Sequence, residues 1–133
     1  MFEDFVQVNS LKARVLHFHK SNEHSAVCEL YFPRTGPPFL VVKLLHDKIN
    51  PEKLQKVITE EYLAATEEKC SSITGYPLKY LPPISVYGVI LLLDKKAASH
   101  DLLFFATAEE QTLEIAPNEI LESNEDSRIV DLT

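Results

Sequence analysis

The sequence is poor in the residues that mark nucleotide-binding loops and cysteine-based sites. It has three glycines among 133 residues, and neither a GxGxxG nor a GxxxxGK[ST] run occurs, so no dinucleotide or nucleoside triphosphate site is predicted. The two cysteines, Cys28 and Cys70, lie in different segments and form no CxxC motif. Neither a disulfide framework nor a zinc site is therefore expected. We expect no cofactor and no metal.

Long apolar runs and excess positive charge are missing as well. No stretch reaches the roughly 18 uncharged apolar residues that a membrane span needs, and the acidic start MFEDFVQV does not resemble a signal peptide. The formal net charge is −7, whereas Lys and Arg supply most of the affinity for a phosphate backbone. We expect a cytoplasmic protein without membrane or DNA partners, for which tRNA is disfavoured and possible only through a local contact.

The sequence contains enough apolar residues to form one hydrophobic core. Apolar residues make up 45% of the chain, a composition and length that suit one compact domain. We predict a single domain over residues 1–121. The end of the chain, residues 122–133, is mostly polar and is expected to be a flexible tail.

Apolar periodicity predicts short helices mixed with strands. Phe2, Phe5 and Val6 lie on one face of an opening helix. Further helices are predicted to begin at Asn50-Pro51, at Thr66 with an end at Gly75, and in PNEIL. The predicted strands are ARVLHFHK, AVCELYF, FLVVKLL, VYGVILLLD, DLLFFAT and QTLEIA, the last of them edge-like. This pattern favours the α+β class, with a mixed or barrel-like sheet.

Two histidines share a face of the first predicted strand. His17 and His19 could supply two metal ligands, but the sequence marks no third ligand. This pair does not change the expectation that there is no metal.

One long segment resembles a known family. The run SSITGYPLKYLPPISVYGVILLLDKKAASHDLLFFATAEEQTLEIAPNEIL is similar to the C-terminal half of the YbaK family of aminoacyl-tRNA deacylases, which are related to an insertion domain of bacterial prolyl-tRNA synthetases. The similarity lies in the Thr74-Gly75-Tyr76 entry to a loop, in Pro83, in a buried strand that ends at Asp94, and in LEIAPNEIL. With HDKINPEKLQKVI before it, the resemblance covers roughly residues 39–121. It implies a YbaK-like, barrel-like mixed sheet flanked by short helices, and hydrolysis of the ester between a wrong amino acid and a tRNA 3′ end.

The same resemblance places the functional positions of the family on altered residues. The family lysine that engages the substrate falls at or next to Cys28, with Glu29 as the adjacent candidate. The paired glycines of the first loop fall on Lys79 and Tyr80, and a later glycine falls on Ser85. The substrate-binding residues that the resemblance implies are Gly75, Tyr76, Lys79, Tyr80, Pro83 and Ser85.

The second loop that the resemblance aligns reads ATAEEQ where the family has glycines. Its Glu109 and Glu110 would repel the phosphates of an RNA end.

Lys43 stands in the middle of the apolar strand FLVVKLL. If the hairpin closes symmetrically over PRTGPP, Phe32 lies opposite Phe39 and Cys28 lies opposite Lys43, so that Lys43 supplies a migrated catalytic cation. The alternative is a lysine at a sheet edge, or one that extends its stem along apolar surface with its head in water. Cys28 itself is better explained as a small buried core residue than as a nucleophile, because no partner base is evident.

Two functions follow from the altered positions. The favoured one is a YbaK-like domain with a degenerate active site that binds a protein partner as an adaptor or assembly subunit. The alternative is an active trans-editing deacylase in which Lys43 is the essential cation. We further predict that side chains of the loop over residues 76–85, Tyr80 or Leu81 in particular, occlude the former substrate cavity.

Overall fold

The computed structural model describes residues 13–16 and 23–133 and confirms a mixed α+β fold. The predicted opening helix, with Phe2, Phe5 and Val6, and the histidines His17 and His19 lie outside the described residues. The strands are β1 (Ala13–Leu16), β2 (Ala26–Pro33), β3 (Phe39–Leu44), β4 (Tyr62–Ala64), β5 (Ile90–Asp94), β6 (Leu103–Ala108), β7 (Gln111–Ile115) and β8 (Ser127–Val130). The helices are α1 (Pro51–Val57), α2 (Glu67–Thr74), α3 (Lys95–Ala98) and α4 (Pro117–Glu122), with one 3₁₀ turn, Leu78–Tyr80.

The strands form two open sheets that meet at one edge. One sheet has the order β1-β7-β6 and the other the order β4-β2-β3-β5-β8. Pairs β3/β5 and β5/β8 are parallel, and the remaining pairs are antiparallel. A parallel bridge between Ser25 and Phe104 connects the two sheets. The strand QTLEIA, predicted to be edge-like, is the central strand β7, which explains why four of its five residues are buried.

The core lies on both faces of the five-stranded sheet. Leu40 and Val42 pack into the space between the sheets with Phe105 of β6. On the other face, Val41 packs with Leu54 of α1 and with Leu132. Strands that are covered on both faces read as continuous apolar runs, which accounts for FLVV in β3 and for ILLL in β5.

Two of the predicted helix starts are confirmed by their capping geometry. The Asn50 side chain accepts a hydrogen bond from the backbone N–H of Glu52 at 3.0 Å, and Pro51 occupies the first helical position. Thr66 accepts from the N–H of Lys69 at 3.2 Å, and α2 ends at Gly75 with φ of 81°. These caps fix the segments on either side of β4.

The prediction of a flexible tail over residues 122–133 is wrong. Ser127–Val130 form β8, which pairs in parallel with β5. Leu132 is fully buried, and its N–H donates to Asp94 Oδ1 at 2.9 Å. A polar sequence is sufficient here because β8 is an edge strand, and Arg128 and Ile129 face solvent.

Candidate functional site

A groove runs along the part of β2 that has only one neighbouring strand. β2 pairs with β3 from Ala26 to Tyr31, but with β4 only from Tyr31 to Pro33. Over residues 26–30, the second edge of β2 has no paired strand among the described residues. Just before this stretch, a single bridge joins Ser25 to Phe104 of β6. A cavity of about 490 Å³ lies there, between β2, the 3₁₀ turn and residues 104–106 of β6. This volume lies within the range of small-molecule sites.

The backbone of β2 presents hydrogen-bonding groups to this groove. The Leu45 N–H donates to the Ser25 carbonyl on the β3 side, and the Ala65 N–H donates to the Leu30 carbonyl on the opposite side. Because backbone groups alternate in direction along a strand, the N–H groups of Cys28 and Leu30 are directed away from β3 and toward the groove. A ligand that lies along this edge can therefore accept hydrogen bonds from the main chain.

Lys43 does not reach the groove, and its predicted position opposite Cys28 is wrong. In the β2–β3 ladder Lys43 lies opposite Val27, while Cys28 lies opposite Val42. Lys43 is only 6% exposed, and its Nζ donates to the carbonyls of Asp47 at 2.7 Å and Leu44 at 3.3 Å. A lysine at a sheet edge is excluded because β3 is an inner strand, and a lysine with its head in water is excluded because the ammonium is bonded to backbone carbonyls. The ammonium group instead donates hydrogen bonds to backbone carbonyls of the turn that follows β3.

Cys28 forms part of the groove wall and is a neutral thiol. It is 5% exposed and packs in the core between the sheets. Burial, followed by the charges of Glu29 and Cys70, raises the pKa of this thiol well above its ordinary value. The expectation of a small buried core residue is confirmed, because nucleophilic chemistry requires a thiolate.

Glu29 and Tyr31 lie on the opposite face of β2 from Cys28, so the groove extends around the strand edge. Both line the cavity. The Tyr31 hydroxyl donates to Glu29 Oε1 at 2.8 Å. Burial, then this hydrogen bond, raises the pKa of Tyr31 far above its ordinary value of 10. The rim of the groove therefore carries a carboxylate held by a neutral tyrosine.

The loop after α2 borders the groove without closing it. Leu78, Lys79 and Leu81 line the cavity. Leu81 is turned inward and buried, as the occlusion hypothesis requires, but the space beside it stays open. The prediction of an occluded cavity is therefore wrong. Lys79 is exposed, and its Nζ lies 5.0 Å from the centre of the Tyr80 ring.

Two non-glycine residues adopt the left-handed backbone conformation, and both lie in the loops where the family resemblance leads us to expect glycine. Ser85 has φ of 66° and Glu110 has φ of 58°; no other described non-glycine residue has positive φ. The Ser85 hydroxyl is hydrogen-bonded to the Tyr76 hydroxyl at 2.8 Å. The chain thus keeps glycine-like backbone at these two points while side chains have been added.

The structure brings together only part of the predicted site. Cys28 and Lys79 line the groove. Four of the predicted residues do not line the groove but belong to the loop beside it: Gly75, Tyr76, Pro83 and Ser85. Gly75 ends α2, and the Tyr76 hydroxyl is hydrogen-bonded to the Ser85 hydroxyl. The Pro83 carbonyl accepts a hydrogen bond from the Asn124 side chain at 3.0 Å. The spacing of Glu29 and Tyr31 at i and i+2 on a strand was the available signal for their contact. The contribution of β6 had no sequence signal, because it depends on how the two sheets meet.

Within residues 13–16 and 23–133, no three His, Cys, Asp or Glu side chains gather closely enough to hold a metal ion. None of the helices in the described part of the chain is long and apolar enough to cross a membrane.

Comparison with known proteins gives one family and several similar folds. The model of the family "Aminoacyl-tRNA editing domain" matches residues 12–122. No curated protein matches the chain at a significant level. A crystal structure of a hypothetical protein superposes with a TM-score of 0.85 at 18% identity, covering 98% of this chain and 97% of that one.

Two further structures are similar in fold. A candidate trans-editing enzyme for prolyl-tRNA synthetase gives a TM-score of 0.82 at 14% identity, covering 99% of this chain and 94% of that chain. A candidate signal transduction protein from Marinobacter aquaeolei VT8 gives a TM-score of 0.73 at 11% identity, covering 97% of this chain and 30% of that one.

Proposed function

The chain belongs to the aminoacyl-tRNA editing domain family, and from this premise we propose that it is a non-catalytic member that serves as a protein-binding adaptor or assembly subunit. One observation carries the proposal: no cation extends from β2 or β3 into the groove. Cys28 is a buried neutral thiol, Glu29 is an acid, and Lys43 is held by the turn after β3. The family resemblance places the substrate-engaging lysine at Cys28 or Glu29.

The missing cation matters because ester hydrolysis develops negative charge on the carbonyl oxygen. Enzymes stabilise that charge with positioned donors or cations, and the loss of one such group costs a large part of the rate. A carboxylate at Glu29 opposes both this charge and the phosphates of an RNA end. Deacylation in this groove would therefore lack its main electrostatic support.

A role as one module of an assembly agrees with the comparisons. In the candidate signal transduction protein, the matching region makes up 30% of a longer chain. That protein shows that this fold can stand beside other domains, and we extend the module role to the present chain. A cytoplasmic location is part of the proposal and agrees with two free, buried cysteines, Cys28 and Cys70.

An active trans-editing deacylase is the second candidate, favoured by the open cavity. The groove keeps the N–H groups of Cys28 and Leu30 as donors, and Lys79 is a cation at its border. The fold is shared with a candidate trans-editing enzyme. In this candidate function Lys79, rather than Lys43, would contact the tRNA end.

A deacylation assay separates the two candidates. Purified protein is incubated with tRNA that carries a wrong small amino acid, such as alanyl-tRNA(Pro), and ester loss is compared with buffer alone. We expect no hydrolysis above buffer and no tRNA binding at physiological salt, together with one stoichiometric protein partner in affinity purification. Hydrolysis that is lost in Lys79→Ala but retained in Lys48→Ala, an exposed lysine outside the groove, would establish the deacylase instead.

A further inference from the structure

Strand β4 ends the five-stranded sheet on one side, and its outer edge is unpaired. It pairs with β2, and no other strand in the described part of the chain lies beside it. The Ala65 N–H donates to the Leu30 carbonyl at 2.8 Å, toward β2. Because backbone groups alternate in direction along a strand, those of Tyr62 and Ala64 are directed away from β2. An unpaired edge of this kind can add a strand from another chain.

The side chains on one face of this edge are apolar and open to water. Leu63 lies directly opposite Phe32, so the two side chains share a face of the sheet. Leu63 is 76% exposed, and Phe32 is half-buried. Both line a surface cavity of about 630 Å³. A strand added to β4 would remove this apolar surface from water, which favours its binding.

Two cations lie beside the apolar side chains. Lys69 Nζ is 4.2 Å from the centre of the Phe32 ring, and Arg34 lines the same cavity. Both cations are exposed, and neither forms an ion pair with a carboxylate among the described residues. The cavity contains one acid, Glu61, so its charge is positive in a chain whose net charge is −7. Complementary charge favours an acidic partner.

We propose that the free edge of β4 binds an extended segment of a partner protein, in which an apolar residue has an acidic residue two positions away on each side. The backbone of the segment pairs with Tyr62 and Ala64, and its apolar side chain covers Leu63. The acidic side chains share that face, because side chains alternate along a strand, and they meet Arg34 and Lys69. This inference rests on the proposed function and identifies the surface and the kind of partner of that protein-binding module.

Two other occupants fit this surface less well. RNA phosphates would pair with the cations, but they would leave Leu63 in water and the strand edge unpaired, and the net charge opposes RNA binding. A second copy of the chain would form a symmetric pair of β4 strands. Arg34 and Lys69 of both copies would then lie around one short ladder, where like charges oppose each other.

A titration with defined heptapeptides tests the surface. The acidic probe is acetyl-Thr-Glu-Thr-Val-Thr-Glu-Thr-amide, and the second probe has Lys in place of both Glu. Binding is followed by two-dimensional amide NMR on wild type, Ala64→Pro, the double variant Arg34→Gln/Lys69→Gln, and Lys48→Gln. Ala64→Pro removes an N–H that is directed away from β2, a position at which an edge strand accepts proline. Lys48 is an exposed lysine outside the cavity, so Lys48→Gln is the control.

The expected result is saturable binding of the acidic probe to wild type and to Lys48→Gln, with shifts centred on residues 62–64. Ala64→Pro and the double variant should each weaken binding by about tenfold or more, because backbone pairing and charge-assisted contacts both contribute. The double variant changes exposed side chains only, so it decides the outcome if Ala64→Pro does not fold. Equal binding of the Lys probe, unchanged binding by either folded variant, or no binding of the acidic probe would each overturn the proposal.

Two further measurements address the other occupants. Light scattering at the concentration of the titration should give a monomer, and a dimer that dissociates in Ala64→Pro would assign the edge to a second copy. Binding of uncharged tRNA that is lost in the double variant would assign the cations to RNA. Either result overturns the proposal. Hydrolysis in the deacylation assay with normal binding of the acidic probe would refute only the non-catalytic role, whereas absence of both would overturn only the present inference.

Discussion

Lys43 lies directly opposite Val27 in the β2–β3 ladder, one position away from the pairing with Cys28 that a symmetric hairpin would give. A shift of one residue moves a side chain to the other face of the sheet. Lys43 is thereby removed from the inner wall, and its Nζ bonds the Asp47 carbonyl. Its role in this fold is to complete a turn.

Replacement of Lys43 should therefore affect stability more than ligand binding. Lys43→Ala leaves the Asp47 carbonyl without its donor and removes a buried stem, which should lower the free energy of unfolding by about 1–3 kcal/mol. Urea unfolding measures this change, with exposed Lys48→Ala as the control. Unchanged stability in Lys43→Ala would contradict the turn-completing role.

Glu110→Gly should stabilise the protein. Glu110 holds φ of 58° in the turn between β6 and β7, a conformation that costs a non-glycine residue roughly 1–2 kcal/mol, against about 0.5–1 kcal/mol for the greater unfolded-state freedom of glycine. We expect a net gain of about 0.5–1 kcal/mol, measured by urea or thermal unfolding. Glu109→Gly is the matched control, because Glu109 does not have positive φ; it should destabilise. A gain of equal size at both positions would show that charge, rather than backbone conformation, is responsible.

The two thiols should resist alkylation in the folded state. Cys28 is 5% exposed and Cys70 is fully buried, and burial is the largest cause of the raised pKa of each. Iodoacetamide at pH 8, read by intact mass, should label the urea-unfolded chain twice while the native chain stays unlabelled. Rapid single labelling of native protein would mean that one thiol is open to solvent.

The raised pKa of Cys28 predicts how the stability of the fold depends on alkaline pH. The folded state holds the Cys28 proton more tightly than the unfolded state, whose thiol keeps the ordinary value of 9.0. The free energy of unfolding should then be at its full value below about pH 9 and fall as the pH rises above it. Urea unfolding at pH 8 and pH 10 measures the drop, and Cys28→Ala should reduce it. An equal drop in the variant would assign the effect to other groups.

Asp94 should be one of the most sensitive positions of the fold. It is fully buried, and its carboxylate accepts from the N–H of Leu132 at 2.9 Å, the hydroxyl of Thr133 at 3.1 Å and the N–H of Lys96 at 3.3 Å. Asp94→Ala should lower the free energy of unfolding by about 2–4 kcal/mol, since a helix cap and buried donors lose their partner. Thermal unfolding measures the loss, with Asp101→Ala, an exposed aspartate, as the control. A loss below 0.5 kcal/mol would contradict this role.

Local signals in the sequence were enough for most elements but not for their register. The caps at Asn50 and Thr66 depend on a few adjacent residues, and both are confirmed. The register between strands was not predicted by such signals: the hairpin closes between Tyr31 and Phe39, while Phe32 and Pro33 pair with β4 on the other edge of β2. A three-residue strand such as β4 gives almost no periodic signal of its own.

For the groove, too, some lining residues could be predicted from local sequence motifs, whereas its open volume could not. Cys28 and Lys79 were placed at the site through motif resemblance, and both line it. The open volume lies where the two sheets meet, beside the bridge between Ser25 and Phe104, and no local pattern predicts how two sheets meet. Leu81 turns inward as apolar burial favours, but one side chain does not fill a space whose far wall is a different sheet.

The contact between Asp94 and Leu132 also has a consequence for folding during synthesis. β5 must acquire β8 on its open edge, and the buried carboxylate of Asp94 must acquire its Leu132 partner, 38 residues later in the chain. While a ribosome is still translating the segment between them, β5 has an unpaired edge and Asp94 lacks two of its three donors. The nascent five-stranded sheet is therefore incomplete until residues 127–133 leave the exit tunnel, and this late closure is the stage at which a chaperone or an early-formed partner would have the greatest effect on yield.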